Sequence, residues 1–556
     1  MNILGIGGHV GHDPAACLVR DGSLVAMAEE ERFVRVKRAP GLAPVNAALY
    51  CLREAGLTVN DIDLIASSDD PNIPNASTLI RTAMNRFRRS EVFRDIQFPP
   101  IVSVNHHLSH AAASFFSSGF DDAAIVTVDG QGENVSTTIA HGRGRHIEVL
   151  RSFDVSQSLG YFYSAVTHYV GLGPNSAGKL MGLAPYGEPK FDISALQLTD
   201  EGYHLNIHVP SIISSDELPT YIRAYWLRFL RSQFGSMNRA SFNITSRESR
   251  ISRQLTLNQH YKDIAASVQK AVENTLLHLV KTALRLTGAR KVVLGGGVAL
   301  NCSANGVIRQ SGIVDDIYIF PAAHDAGCAL GAALEVAARH GEPACPEIKH
   351  AYWGPSYSDS DVTDVMRRSG LAYSEHVDVI EKTAELLTRG KVVGWLQGRM
   401  EVGPRALGHR SILANATDHE ALLRVNQIKG REIWRPLAPS ILQEEMSILL
   451  EHPFRSPFML QAIQIQPNSR DLIPAVTHVD GSTRPQTVEY DACRIYYDLL
   501  KCMKNKIGIG VVLNTSFNRA DEPIVCTPVD AIRTFVSTDL DALVIGQHIV
   551  LKPSVH

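Results

Sequence analysis

The alternation of apolar and polar positions divides the chain into short buried strands that run into loops bearing glycine, histidine or aspartate. Ile3–Ile6 predicts a strand opening into a loop with His9, His12 and Asp13. Ala15–Val19 and Ser23–Ala28 predict a hairpin across Arg20-Asp21-Gly22. Pro44–Gly56 has helical spacing and ends at glycine, and Leu64–Ser67 is another strand. The apolar run Ala123–Val128 predicts a buried strand ending at Asp129 in VDGQGE, with Val135–Ala140 and His146–Val149 following around a glycine turn. Strand, glycine loop and hairpin thus occur twice, a weak repeat of pattern rather than of identical residues. Ser194–Arg253 is polar and reads as an insertion, and Tyr261–Gly288 is a long helix. Lys291–Leu294 is a strand entering GGGVALN, Ile317–Phe320 another that delivers His324 and Asp325, and Ala326–Arg339 is helical. The proline- and glycine-rich stretch Gly341–Pro355 marks a boundary. Beyond it Val379–Thr388 is helical and Val392–Leu396 is a strand.

Composition changes this picture little. A chain of 556 residues is too long for one core. Its 45% hydrophobic and 20% charged residues are ordinary for a soluble enzyme. A net charge of −3 argues against a large nucleic-acid footprint. Eight scattered cysteines without a CxxC pair fit reduced thiols, and no apolar run is long enough to span a bilayer. The N-terminus has no basic segment leading an apolar core. The expectation is a cytoplasmic multidomain protein without a membrane or nucleic-acid partner.

Candidate chemistry concentrates in Val104–Glu133. Asn105 is a good helix N-cap, and His106 and His110, four apart, share one face of the helix that follows. Two imidazoles and the Asp129 carboxylate make a mixed N/O set suited to iron, zinc or manganese rather than magnesium or calcium. Either histidine alone closes hydrogen bonds in a core as readily; the pair with Asp129 favours a metal. Asp325 is a further ligand or the N-cap of its helix. The glycines of Gly295–Asn301 let a backbone approach a ligand closely. Downstream, Gly398–Asn415 carries Arg399, Arg405, His409 and Arg410. VNQIKGREIWRPLAPSIL carries Lys429, Arg431 and Arg435, HVDGSTRPQTV carries Arg484, and LNTSFNRADEPIV carries Arg519. Such cations among Gly, Ser and Thr suit a phosphate- or carbamoyl-bearing ligand.

In order along nearly the whole chain, HDPAACLVRDG, EEERF, HHLSHAA, VDGQGE, GKLMGLA, GGGVALN, GRMEVGPRALGHRS, KGREIWRPLAPS, STRPQTV and NTSFN resemble the O-carbamoyltransferase family of antibiotic and nodulation-factor biosynthesis. The resemblance implies an α/β protein of two domains. Residues 1–353 would be an actin/sugar-kinase-like domain, similar to the tRNA threonylcarbamoyl transferase, and the paired pattern suits that superfamily. Residues 354–556 would be similar to the threonylcarbamoyl-AMP synthase. It further implies that carbamoyl phosphate and ATP, with Mg, give carbamoyl-adenylate and pyrophosphate in the C-terminal domain. A hydroxyl of a small-molecule natural product then takes the carbamoyl group in the N-terminal one, as in antibiotic tailoring.

By resemblance, His106, His110, Asp129 and Asp325 match metal ligands, usually for Fe(II), with Zn or Mn as alternatives. His12 matches a candidate base beside the carbamoyl group, and Lys37 a basic residue of the same site. Asp129, Gly130, Gln131, Gly132, Gly296, Gly297 and Asn301 fall where nucleotide is held. Arg405, Lys429, Arg431, Arg484, Thr515, Ser516, Asn518 and Arg519 match the carbamoyl-phosphate and ATP site. One departure stands out: the family's NTSFN-x-R-G-E-P reads NTSFN-R-A-D-E-P here, which displaces the arginine to Arg519 and adds Asp521.

Other readings remain open. A tRNA threonylcarbamoyl enzyme predicts a basic surface, a hydrogenase-maturation relative predicts CxxC zinc fingers, and a non-catalytic nucleotide-binding regulator or direct transfer without ATP would fit the altered loop. The acceptor pocket is expected to draw on Ser194–Arg253 and Asp70–Arg94, and the protein to be a monomer or homodimer.

Overall fold

A computed structural model describes residues 1–8, 11–69, 76–214, 217–236 and 258–553. His9, Asp70 and residues 237–257 of the expected insertion lie outside them. The chain forms two compact units: Met1–Glu30 with Arg38–Ile348, and Glu31–Lys37 with Lys349–His556. The second boundary lies five residues before the one expected from sequence, and the Glu31–Lys37 segment belongs to the second unit.

The first unit contains two five-stranded sheets of one topology. Strands β1 (Asn2–Gly7), β2 (Ala15–Arg20) and β3 (Ser23–Glu29) form an antiparallel meander, and β4 (Leu64–Ser67) and β5 (Ile101–Ser103) add in parallel beside β1. The order is β3-β2-β1-β4-β5. In the second sheet β6 (Asp122–Gly132), β7 (Val135–Arg143) and β8 (His146–Asp154) form the meander. Strands β9 (Lys291–Gly295) and β10 (Asp316–Ile319) add in parallel beside β6. The repeat that is weak in sequence is complete in strand order.

A helix follows the last strand of each sheet: α1 (His106–Phe116) after β5, and α2 (Cys328–Arg339) after β10. Each packs on the other half's sheet, α1 on β6, β7 and β9, and α2 on β1, β2 and β4, and the two helices pack on each other. Small residues permit this close approach. A Cβ at Gly331 would overlap the Ser109 carbonyl, and one at Gly7 would lie 2.6 Å from the Ala329 nitrogen. Ala111–Ala113 on α1 and Ala329, Ala332 and Ala333 on α2 are buried alanines at the same contact.

The second unit is built on an eight-stranded mixed sheet. Its central strands are Val393–Leu396, Arg410–Ala414, Val511–Ser516 and Ala438–Leu442, with fully buried Trp395, Phe517 and Phe535 in its core. Glu31–Lys37 is fixed there by Arg35, whose guanidinium donates to the Ile524 carbonyl at 2.6 Å and the Pro523 carbonyl at 2.8 Å. Phe33 packs on Met400, Ile524 and Cys526. No helix among the described residues is long and apolar enough to cross a membrane.

Candidate active site: a histidine–aspartate cluster and a buried cationic cluster

The capping expected of Asn105 is present: its side chain accepts from the Leu108 N–H at 3.1 Å and starts α1 at His106. Helical spacing then aims His106 and His110 the same way, with their Nε2 atoms 3.0 Å apart. Asp129 lies within β6, where the register with β7 shifts between Val128 and Gly132. Such a bulge re-aims a side chain out of the ladder. Here Asp129 Oδ2 lies 3.3 Å from His106 Nε2 and 3.4 Å from His110 Nε2. Its other oxygen, Oδ1, accepts from the Gly297 N–H at 3.1 Å. Asp325, just ahead of α2, puts Oδ1 3.9 Å from His110 Nε2 and Oδ2 3.3 Å from His12 Nδ1. It caps nothing: neither the short turn at Asp325–Gly327 nor α2 has a side-chain N-cap hydrogen bond.

Donor atoms of His106, His110, Asp129 and Asp325 therefore lie within 4.8 Å of one another. Two nitrogens and two carboxylates at this spacing fit a first-row divalent ion. His107 stands apart from the set: its Nε2 pairs with the Val135 carbonyl at 3.0 Å, and burial with the charge of His106 pushes its pKa down to about 3.

Electrostatics within the cluster are strong. Burial alone would lower the His106 pKa, but the Asp129 hydrogen bond and the charge of Asp325 raise it to about 9. Burial opposes the ionisation of Asp129 in turn, and hydrogen bonds from His106 and His110 still hold its carboxyl well below the usual range. His12 sits at the rim, its side chain 44% exposed. Its Nδ1 is 3.0 Å from Asp13, and the Arg38 guanidinium approaches the ring at 2.9 Å. The His12 pKa is raised: burial disfavours its charge, but Asp13 and Asp325 outweigh that cost.

The glycines around the cluster serve close approach. Gly296 has φ +84°, and a Cβ there would collide with the Val128 carbonyl; Gly132 faces the His106 ring at a similar range. Gln131 accepts from the Tyr161 hydroxyl at 2.7 Å, and Gly130 lies against the same tyrosine ring. Asn301 caps the helix Cys302–Gln310 through Ala304 and also pairs with Gln269.

In the second unit, Lys429 follows the helix Ala421–Ile428 and is 3% exposed. Its Nζ donates to the Asn518 carbonyl and to Asn518 Oδ1, both at 2.9 Å, and to the Ser516 carbonyl. Thr515 and Ser516 end the strand Val511–Ser516 beside it, half-buried. Lys37 donates to the Ala520 carbonyl of the same loop at 3.1 Å, and the Ala520 N–H returns to the Lys429 carbonyl at 3.1 Å. Lys37 thus lies in the second unit and His12 in the first.

Burial lowers the Lys429 pKa well below that of a free lysine, and Arg431, Arg435 and Lys37 lower it further. The same causes, burial first and then Arg435, depress Arg431. Arg431 Nη2 and Arg484 Nε are buried atoms with no hydrogen-bond partner among the described residues. Arg405 is half-buried. Arg410 is structural: fully buried, it donates to the carbonyls of Gln397, Gly398, Pro355 and Cys526. Arg519 and Asp521 are exposed, and the Arg519 N–H is held by Glu522. Sequence reasoning gave Arg435 no named role; its place beside Arg431 was open to view only as one cation among several.

The fold and its two clusters define an α/β protein of two units, one carrying a metal-type donor set and the other an anion-type set of cations. A profile of the carbamoyltransferase N-terminus matches residues 2–80 and 75–334, and one of the carbamoyltransferase C-terminus matches residues 384–552. The chain belongs to the carbamoyltransferase family, and it is an enzyme of that class.

Nodulation protein NolNO of Sinorhizobium fredii is 37% identical over 97% of this chain and 79% of its own length. Nodulation protein NolO of Bradyrhizobium diazoefficiens is 38% identical over 81% of this chain and 79% of its own. Among solved structures, HypF in its phosphate- and nucleotide-bound form is similar at 14% identity, covering 62% of this chain and 56% of that one, with a TM-score of 0.39. ROK hexokinase from Thermus thermophilus is similar at 16% identity over 60% of this chain and 98% of that one, with a TM-score of 0.32.

Proposed function

We propose that the protein is an ATP-dependent O-carbamoyltransferase that works in two steps. In the second unit, water hydrolyses carbamoyl phosphate to carbamate and phosphate, and the carbamate oxygen then attacks the α-phosphorus of ATP, forming carbamoyl-adenylate as the bond to pyrophosphate breaks. In the first unit, a hydroxyl of a small-molecule acceptor attacks the carbamoyl carbon, the bond to the adenylate oxygen breaks, and AMP leaves. The duplicated strand order supports reading the first unit as an actin/sugar-kinase-type fold. Lys429, Arg431 and the Thr515–Asn518 segment support reading the second as similar to the threonylcarbamoyl-AMP synthase.

The observation that carries the proposal is the cationic cluster of Lys429, Arg431, Arg435 and Arg484. Buried cations that depress one another cost stability unless an anion compensates them, and orphaned guanidinium N–H groups suit phosphate oxygens. Lys429 would hold the charge that develops on the phosphates as pyrophosphate departs. Arg484, Arg431 and Arg405 would orient the donor, with Thr515, Ser516 and Asn518 as its polar wall.

In the first unit, Gly130–Gly132, Gly296 and Gly297 would admit the adenylate close to the backbone. His12, at the rim, would take the proton from the acceptor hydroxyl while Asp13 holds its ring. His106, His110, Asp129 and Asp325 would hold a divalent ion, Fe(II) by resemblance and Zn or Mn by donor type. When bound, it would polarise the carbamoyl oxygen as a Lewis acid. Adenylation makes chemical sense because carbamate acylates poorly until its oxygen becomes a good leaving group.

Pyrophosphate release from purified protein given ATP and carbamoyl phosphate tests the reading. Release that needs both substrates and is lost in Lys429→Ala is expected. ATP binding with no release would overturn adenylation and point to direct transfer.

A further inference from the structure

A second donor set overlaps the first. Cys328 opens α2 and is fully buried, and its Sγ lies 3.9 Å from the His106 carbonyl. That sulfur and a ring nitrogen of each of His106 and His110 lie within 4.8 Å of one another. The two histidines therefore belong to two sets: one completed by the carboxylates of Asp129 and Asp325, the other by a thiol. Carboxylates suit harder ions and a thiolate suits softer ones, while imidazole serves both.

We propose that the His106–His110 pair serves two alternative coordination modes, in the second of which Cys328 supplies a thiolate to a soft divalent ion such as Cd²⁺. The inference rests on the metal reading of this cluster. On binding, the S–H bond breaks and its proton leaves to solvent. The sulfur electron pair forms the bond to the ion, and nothing is oxidised or reduced. At zinc-like bond lengths of about 2.0 Å to nitrogen and about 2.3 Å to sulfur, a tetrahedral site has N–S edges of roughly 3.5 Å, so a sulfur within 4.8 Å of the nitrogens closes by at most about an ångström. The four-residue set needs no sulfur, so a hard ion such as Mn²⁺ is held without Cys328. The identity of the bound ion then decides which side of the histidine pair is used.

The test uses the full-length protein stripped of metal by chelation, then titrated separately with Mn²⁺ and Cd²⁺. Cd²⁺ is expected to produce an ultraviolet thiolate-to-metal charge-transfer band. Cys328→Ser is expected to abolish the band and weaken Cd²⁺ by more than about tenfold, while Mn²⁺ affinity changes by less than about threefold. The His106→Ala/His110→Ala variant, which keeps the thiol, is expected to lose the band as well. Cd²⁺ binding at the histidines without a band, or a band that survives Cys328→Ser, overturns the inference and leaves the metal reading intact. Failure of both ions to bind in a histidine-dependent way overturns the metal reading itself. Should Cys328→Ser fail to fold, the wild-type band and its loss in the histidine variant decide the matter.

Discussion

The two clusters are opposites in charge and in how that charge is balanced. In the first unit, imidazoles and carboxylates meet within hydrogen-bond distance and raise or lower one another's pKa toward the charged forms. In the second, cations outnumber the nearby carboxylates, and burial with mutual repulsion lowers the pKa values of Lys429 and Arg431. The first cluster can stand alone as a set of ion pairs and can also exchange its protons for a metal. The second sets the Glu432 carboxylate, 3.6 Å from Arg435, against its several cations, an imbalance that an anionic ligand would reduce. A buried group that opposes its neighbours marks a ligand's place more firmly than one that satisfies them.

This contrast can be broken at either end. The largest effect is expected from His106→Ala with His110→Ala: metal binding abolished and carbamoyl transfer down by at least about a hundredfold, with pyrophosphate release nearly unchanged. Metal analysis and the two half-reactions, assayed separately, check it; full metal occupancy in the variant would sink the assignment. Next comes Lys429→Ala, expected to cut pyrophosphate release by about a hundredfold while transfer from supplied carbamoyl-adenylate persists. Normal release by that variant would count decisively against the second cluster.

A smaller effect sharpens the electrostatic half of the comparison. Because Arg435 depresses Lys429, its removal raises the Lys429 pKa, and the ammonium survives to higher pH. The alkaline limb of kcat/KM for pyrophosphate release in Arg435→Ala should move upward from that of the wild type, measured across pH with saturating Mg. An unmoved limb would mean that Lys429 is not the titrating group. The smallest effect is expected from Arg519→Ala, less than about threefold on KM for carbamoyl phosphate, because the side chain is exposed. A tenfold rise would return Arg519 to the site.

What was legible in the sequence followed local rules. Asn105, His106 and His110 are fixed by helix geometry over a few residues, so the cap and the shared face could be read directly. The glycine run before Asn301 announced a close approach, and it lies against β6 and the Asp129 that it carries. What stayed hidden depends on distant contacts. Nothing local marks Glu31–Lys37 as part of the second unit, because the Pro523 and Ile524 carbonyls that hold Arg35 are nearly 500 residues on. The N-cap or ligand choice at Asp325 turned on the position of His12 and His110, which no spacing reveals. Arg399, Arg405, His409 and Arg410 looked alike as a run, yet Arg410 spends its guanidinium on backbone carbonyls.

The exchange of helices between the two sheets has a consequence for the order of events at the ribosome. The first sheet is made early, with the helix Val45–Glu54 packed on β2 and β3, but the second helix that covers it, α2, is synthesised only at Cys328–Arg339. The early half must therefore wait, without the cover that α2 gives, until more than 300 residues have emerged. Glu31–Lys37 waits longer still, because its anchoring carbonyls at Pro523 and Ile524 are among the last made. Fragments cut at the midpoint of the first unit should behave as unfinished pieces rather than as domains, each lacking the helix that the other half supplies.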